Sequence, residues 1–322
     1  MIVFSASVYS DLVPVANQRV EDGVSEYSAL TEEEIQLLPS DEDVRHYAEH
    51  GWYLSKKLLS DAETEALTAA SERFYAGHRG RELPVQPDRI ADWTPADGPV
   101  QRNNDYIHYR EEVTSRILRK PLIGAVAARL AQTPEIRTFQ ATLIYKPAVP
   151  DEDSNIVSWH FDKYFWPTCS SDNMLTAFIP FHDCTEETGT ITMVPGSHRW
   201  SRRHGADRPV GEPTDVAREY LLNGDADRNG ATAQRIPVHI PRGHMTFHHC
   251  LLYHGSGANR SPNPRRAISL HLQDASNTYQ DYRASNGRQQ PYKHDTLVRR
   301  TAEGRPDYAD PDFCPTLWPV TG

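Results

Sequence analysis

His160 and Asp162 stand two residues apart in the stretch Ile-Val-Ser-Trp-His-Phe-Asp-Lys, residues 156–163. The flanking Ile156, Val157, Trp159 and Phe161 are β-branched or aromatic, so the stretch reads as a strand. On a strand, residues i and i+2 face the same way. An imidazole and a carboxylate side by side supply two ligands of the two-histidine, one-carboxylate triad. That triad holds Fe(II) on one face and leaves positions open for substrate and O₂. His254, at the end of an apolar run, offers the third ligand, and Arg265 offers a cation eleven residues later, where another strand-like run begins. His248 and His249 share the run with His254 but are not followed by Gly-Ser-Gly-x-Asn. His182, Asp183 and His198 have no strand with a cation behind them. These five read as hydrogen-bonded or solvated side chains, and Arg266 is the runner-up to Arg265.

Taken in order, these residues resemble the phytanoyl-CoA dioxygenase family of Fe(II)- and 2-oxoglutarate-dependent oxygenases. The similarity runs from about residue 40 to about residue 275. It is carried by His160-Phe161-Asp162, Thr188-Gly189-Thr190, Val194-Pro195-Gly196-Ser197-His198, His254-Gly255-Ser256-Gly257-Ala258-Asn259 and Arg265. The resemblance implies that His160, Asp162 and His254 hold Fe(II), and that Phe178 walls 2-oxoglutarate. Arg265 is expected to take the distal carboxylate of 2-oxoglutarate, since a guanidinium matches a carboxylate with two parallel hydrogen bonds. Ser256 shares a face with His254 if that strand continues and can add a hydroxyl. Gln140 and Thr142 alternate on a neighbouring strand and can face the same pocket. Trp159, Tyr164 and Trp166 flank the metal strand, either as core packing or as the wall that meets substrate.

Within this fold, halogenases replace the carboxylate ligand by Ala or Gly to admit chloride. Asp162 is intact, which favours hydroxylation or another oxidation. The expected reaction consumes O₂ and 2-oxoglutarate, releases succinate and CO₂, and oxidises an unactivated C–H bond of a small molecule. Family habit points to specialised-metabolite biosynthesis. A cupin-like non-haem metal enzyme, an isomerase or epoxidase without 2-oxoglutarate, stays open as an alternative; it would need no dicarboxylate clamp. A non-enzymatic jelly-roll binding module would not need three ligands with open coordination.

The elements that must position these residues are read as follows. Residues 1–40 form an irregular arm. Ser40 caps a helix, 51–54 is a short strand, and Ser60 with Glu63 opens a second helix by capping-box spacing. Residues 79–104, polar and rich in Pro and Gly, read as a loop and lid. Residues 111–132 read as helix, restarted at Pro121. From residue 136 the period shortens to two: strands are expected at 138–145, 156–163, 173–181, 189–194, 235–240, 245–253 and 266–272. Residues 201–232 read as an insertion with a short helix near 215–222, and the tail beyond 275 wraps the barrel mouth or mediates self-association. The fold class is mainly β with flanking helices, a double-stranded β-helix or jelly roll. It is read as one domain over 1–322: arm 1–40, helical support and lid 41–135, core 136–275, tail 276–322.

Composition narrows the function classes. A chain of 322 residues can bury a full core. A formal net charge of −10 argues against nucleic acid, which demands a basic surface. No apolar run approaches the roughly 18 residues of a membrane helix, and the N-terminus lacks the basic start of a signal peptide. Four separated cysteines, without a Cys-x-x-Cys pair, read as free thiols in a reducing cytoplasm. The expected partner is a small molecule, and the expected state a monomer or homodimer.

Overall fold

The computed structural model describes residues 27–85, 95–148, 155–202, 214–283, 287–289 and 291–319. Helices α1 (Glu32–Ile35), α2 (Asp41–His50), α3 (Asp61–Tyr75), α4 (Ile107–Arg110), α5 (Glu112–Leu118), α6 (Pro121–Ala131) and α7 (Thr214–Arg228) flank two sheets. The strands are β1 (Trp52–Leu54), β2 (Arg102–Asp105), β3 (Ile136–Lys146), β4 (Val157–His160), β5 (Leu175–Pro180), β6 (Ile191–Met193), β7 (Ile236–Pro237), β8 (Thr246–His249), β9 (His254–Ser256), β10 (Arg265–Asp274) and β11 (Thr316–Trp318). The larger sheet runs β1-β8-β5-β10-β3-β11, with β2 also paired to β3; the smaller runs β4-β9-β6-β7. Among the described residues the strands of both sheets pair antiparallel. Two facing antiparallel sheets make the jelly roll.

The large sheet is apolar on one face and polar on the other, as a period of two requires. Ala141 and Leu143 of β3, Ala177 and Ile179 of β5, and Ile268 and Leu270 of β10 join Leu67, Phe74, Leu118 and Val126 of the helices in one core cluster. The alternate positions, Gln140, Thr142, Thr176, Phe178, His248, Ser269 and His271, face the small sheet across a cavity. Helix starts follow local chemistry. Ser40 and Ser60 each accept from the backbone N–H three residues on, while Asp43 and Glu63 return a bond to the cap residue's N–H. Pro121 sits in the first turn of α6, where its missing N–H costs nothing.

Several expectations change. The strand expected over 156–163 ends at His160, and Asp162 opens a 3₁₀ turn, Asp162–Phe165. The stretch read as a loop over 79–104 ends in β2, whose Asp105 pairs with Thr142; its residues 86–94 lie outside the described residues. The helix near 215–222 runs through fifteen residues of α7. Its Leu222 packs with Tyr253, and Trp159 borders that cluster. The tail is built into the body: β11 pairs with Ile136 and Arg137, and Phe313 and Cys314 pack around Phe139 and Tyr106. Of the arm, residues 1–26 lie outside the described residues, and 32–35 are helical. All four cysteines are buried free thiols.

Candidate active site

β4 and β9 pair with His160 opposite His254, which brings their ring centroids to 4.2 Å. Phe161 keeps an extended backbone, φ −125° and ψ 141°, so Asp162 still turns back toward the strand's inner side. Asp162 Oδ1 lies 3.8 Å from His160 Nε2 and 3.6 Å from His254 Nε2. One ligand atom from each of the three falls within 4.8 Å of the others. His160 Nδ1 bonds the Ser158 carbonyl at 2.8 Å and His254 Nδ1 the Leu252 carbonyl at 2.9 Å. A carbonyl only accepts, so Nδ1 carries the proton in both rings and each Nε2 keeps its lone pair for a metal.

The other carboxylate oxygen is braced from the large sheet. Thr176 donates its hydroxyl to Asp162 Oδ2 at 2.5 Å, and His271 Nδ1 sits 2.8 Å from the same hydroxyl. His248 Nε2 lies 3.3 Å from Oδ2. Burial opposes ionisation of Asp162, but the His254, His248 and His271 imidazoles around it outweigh burial and hold its pKa well below the usual carboxylate range. Burial lowers the pKa of His160 and, more strongly, that of His254. A divalent cation, which requires an ionised carboxylate and imidazoles with free Nε2 lone pairs, would supply the positive charge beside Asp162 that neutral rings do not. The donor set, two imidazole nitrogens and one carboxylate, fits Fe(II).

A cavity of about 670 Å³ opens beside the triad. At one end stand Arg265, Ser256 and Phe178. The Arg265 side chain is buried, with its guanidinium carbon 5.3 Å from the Phe178 ring centre and Nη1 donating to the Gly189 carbonyl at 2.8 Å. Gly189 has φ +68°, and a Cβ there would lie 2.6 Å from the Gly257 carbonyl oxygen, so only glycine places that acceptor. Arg266 turns the other way, toward Glu72 at 3.4 Å. Behind Ser256 lies a residue the sequence reading did not single out. Lys146, fully buried, donates to Ser256 Oγ at 2.7 Å and to the Gly257 carbonyl at 2.5 Å. Burial and the nearby Arg265 hold its pKa well below that of a free lysine.

At the other end Gln140 and Thr142 both donate to Asp105 Oδ1, at 2.8 and 2.6 Å. Lys293 pairs with Asp105 Oδ2, and Tyr292 donates to Gln140 Oε1 at 2.6 Å. Asp105, Tyr292 and Lys293 line the cavity with Trp166 and Phe165, yet none but Trp166 was singled out from sequence. No short motif marks them; their chemistry appears only when the tail is folded back. Two expected pocket residues are placed elsewhere. Trp159 alternates with His160, so it points out of the cavity and lines a second hollow of about 640 Å³ with Ile156 and Tyr220. Tyr164 packs under the Arg218 guanidinium, 4.3 Å from ring centre, and its neighbour Phe165 takes the cavity position.

A jelly roll with this triad and a buried arginine beside it defines a 2-oxoglutarate-dependent non-haem iron dioxygenase. The family model for phytanoyl-CoA dioxygenase (PhyH) matches residues 47–267, and the chain belongs to that family. It uses Fe(II), 2-oxoglutarate and O₂. The peroxisomal phytanoyl-CoA dioxygenase of Bos taurus is 26% identical over 247 residues, covering 74% of this chain and 70% of that protein. The ectoine dioxygenase of Bordetella parapertussis is 26% identical over 254 residues, covering 74% and 77%. Among solved structures, SnoK, a non-heme alpha ketoglutarate dependent carbocyclase from nogalamycin biosynthesis, is 25% identical with a TM-score of 0.58, covering 75% of this chain and 87% of that one.

Proposed function

We propose that the protein hydroxylates an unactivated C–H bond of a polar small molecule, in the biosynthesis of a specialised metabolite. The observation that carries the hydroxylase reading is Asp162. Its carboxylate is intact and braced by Thr176, and it occupies the position a halide would need. His160, Asp162 and His254 would hold the metal, which supplies O₂ activation coupled to oxidative decarboxylation of 2-oxoglutarate. Arg265 and Ser256 would orient the cosubstrate through its distal carboxylate, against the Phe178 ring. Thr142 and Gln140, expected on the cosubstrate side, are tied to Asp105, and this supports assigning them to the substrate end. Phe165, Trp166 and Tyr292 would pack the substrate, and burial of the triad would keep water from the reacting carbon.

Polar walls at the substrate end, the Asp105–Lys293 pair with Gln140 and Thr142, support a substrate with hydrogen-bonding groups over a long acyl chain. The likeness to a carbocyclase leaves ring closure as another fate of the same C–H abstraction.

A succinate-release screen over polar metabolites, followed by mass spectrometry under labelled O₂ with excess chloride, tests the reading. The expected product gains one labelled oxygen and is indifferent to chloride. A chlorinated product overturns the role of Asp162. Loss of two hydrogens without added oxygen replaces hydroxylation by desaturation or cyclisation.

A further inference from the structure

His271 stands on β10 between Gln140 of β3 and Thr176 of β5, its register partners on either side. Its ring meets the Trp166 indole in a T-shaped contact, 4.7 Å between centres, and lines the cavity. Burial lowers its pKa from 6.5 to about 4, so the ring is neutral at pH 7. A neutral imidazole carries one N–H and one lone pair, and its neighbours decide which nitrogen has which. Here the deciding neighbour is Thr176. Its hydroxyl has one hydrogen, and the ionised Asp162 Oδ2, at 2.5 Å, takes it. Thr176 then has only a lone pair to offer His271. His271 Nδ1, 2.8 Å from that hydroxyl, therefore carries the ring's proton. Nε2 keeps the lone pair, and among the described residues no hydrogen-bond donor meets it.

The bond from Thr176 to Asp162 thus fixes an acceptor in the cavity wall close to the metal ligands, since His271 Nδ1 lies 3.8 Å from Asp162 Oδ2. The polar groups around it are committed elsewhere or free to turn. Gln140, Thr142 and Lys293 give their hydrogens to Asp105, and Tyr292 gives its own to Gln140. Ser269, two residues back on the same face, carries a hydroxyl that can rotate to give or to accept. The imidazole lone pair cannot rotate. Once a ligand displaces water from the cavity, Nε2 is either given a hydrogen or left unpaired, and an unpaired buried acceptor discriminates against an apolar group. We propose that His271 is a specificity-determining residue, whose Nε2 accepts a hydrogen bond from a hydroxyl or amine of the substrate next to the carbon presented to the metal. The substrate class is then an alcohol or an amine, polar at its reacting end. This rests on the reading of the protein as a hydroxylase of polar small molecules.

Two measurements test it. The first needs no substrate: nitrogen-15 spectra of the chain loaded with Zn(II) and 2-oxoglutarate should show the His271 proton on Nδ1 and a bare Nε2. A proton on Nε2 overturns the proposal. The second is the succinate-release screen run on matched pairs, each hydroxy or amino compound beside its deoxy or deamino counterpart. Wild type should turn over the donor-bearing member with a KM about tenfold below that of its counterpart. His271→Asn keeps an N–H at the Nδ1 position for Thr176 but ends short of Nε2. It should raise KM for the donor-bearing member about tenfold and leave the counterpart's KM, the 2-oxoglutarate Kd and the iron content at wild-type values. His271→Gln, whose amide oxygen reaches toward the Nε2 position, should recover part of that loss. Equal KM rises for both members of a pair, an unchanged KM, or loss of iron in His271→Asn each overturn the proposal and leave the hydroxylase reading standing. So does turnover confined to the deoxy and deamino members. The wild-type comparison within each pair decides the matter even where the Asn variant does not fold. If no polar pair releases succinate, the proposed function itself falls, and the role of His271 falls with it.

Discussion

The two ends of the cavity handle charge in opposite ways. Around Arg265 the buried guanidinium and the Lys146 amine meet only neutral acceptors, so that end is electrostatically incomplete without an anion. Around Asp105 the accounts are closed: one carboxylate oxygen takes Gln140 and Thr142, and the other takes Lys293. The first end lies wholly within residues 47–267, the span matched by the family. The second draws Tyr292 and Lys293 from the tail, beyond that span. An incomplete end selects a ligand by charge, the same ligand across a family. A saturated end presents shape and directed hydrogen bonds, and can be rebuilt chain by chain without disturbing the metal.

The sharpest way to break this contrast is Arg265→Ala. Removing the partner of a buried carboxylate should cost on the order of 2–5 kcal/mol of 2-oxoglutarate affinity. Equilibrium titration checks it, with iron content measured in parallel and expected unchanged. Arg266→Ala, which removes a half-buried side chain turned toward Glu72, should do almost nothing to that affinity. A larger effect at Arg266 would place the charge-selecting end elsewhere.

The asymmetry also explains what could be read from sequence. The triad was legible because His160 and Asp162 are local and His254 carries its Gly-Ser-Gly-x-Asn signature. The 3₁₀ turn at Asp162 escaped a period-two reading, yet the extended Phe161 preserved its consequence. The two-sheet fold was legible from alternation on β3, β5 and β10, where every second residue is apolar. Lys146 was not: a lysine at a strand end reads as solvated, and its burial is decided by Arg265 and Ser256, more than a hundred residues away. Trp159 and Tyr164 were assigned to the pocket by proximity in sequence, whereas alternation turns Trp159 away and the 3₁₀ turn substitutes Phe165 for Tyr164. Tyr292 and Lys293 were invisible because a tail that packs back onto β3 leaves no periodic signal of where it lands.

A second, smaller effect probes how the tail is held at the saturated end. His108 is buried and bridges β3 to the tail: the Ala141 N–H donates to its Nδ1 at 3.2 Å, and its Nε2 sits 3.0 Å from the Phe313 carbonyl. That pattern needs the neutral ring. Burial lowers its pKa from 6.5 to about 4. The unfolded chain therefore binds a proton that the folded one refuses, so this contribution is intact above pH ~6.5 and is lost as the pH falls toward ~4. Between pH ~7.5 and pH ~5 the loss should be about 2 kcal/mol, from roughly 1.4 kcal/mol per pKa unit. Denaturant unfolding at the two pH values checks it, comparing wild type with His108→Gln, which keeps a donor and an acceptor but does not titrate. The variant should lose less stability on acidification; equal losses would remove His108 from the account.

The smallest expected effect separates the two ends most cleanly. Tyr292 stacks on Phe139, 6.0 Å between ring centres, and gives its hydroxyl hydrogen to Gln140 Oε1. Tyr292→Phe keeps the ring and the packing but strips Gln140 of a donor. A neutral hydrogen bond of this kind is worth about 0.5–1.5 kcal/mol. Freed, the Gln140 amide can rotate, and its bond to Asp105 loosens with it. With the substrate that the succinate screen identifies, KM should rise by a factor of about 2–10, the fold-change equivalent of that energy. The Kd for 2-oxoglutarate and the iron content should stay at wild-type values, because nothing on the path from Tyr292 through Gln140 to Asp105 touches Arg265, Ser256 or Lys146. A rise in the 2-oxoglutarate Kd that matches the rise in substrate KM would mean the cavity responds as one unit, and the division into a charge-selecting end and a shape-selecting end would fail.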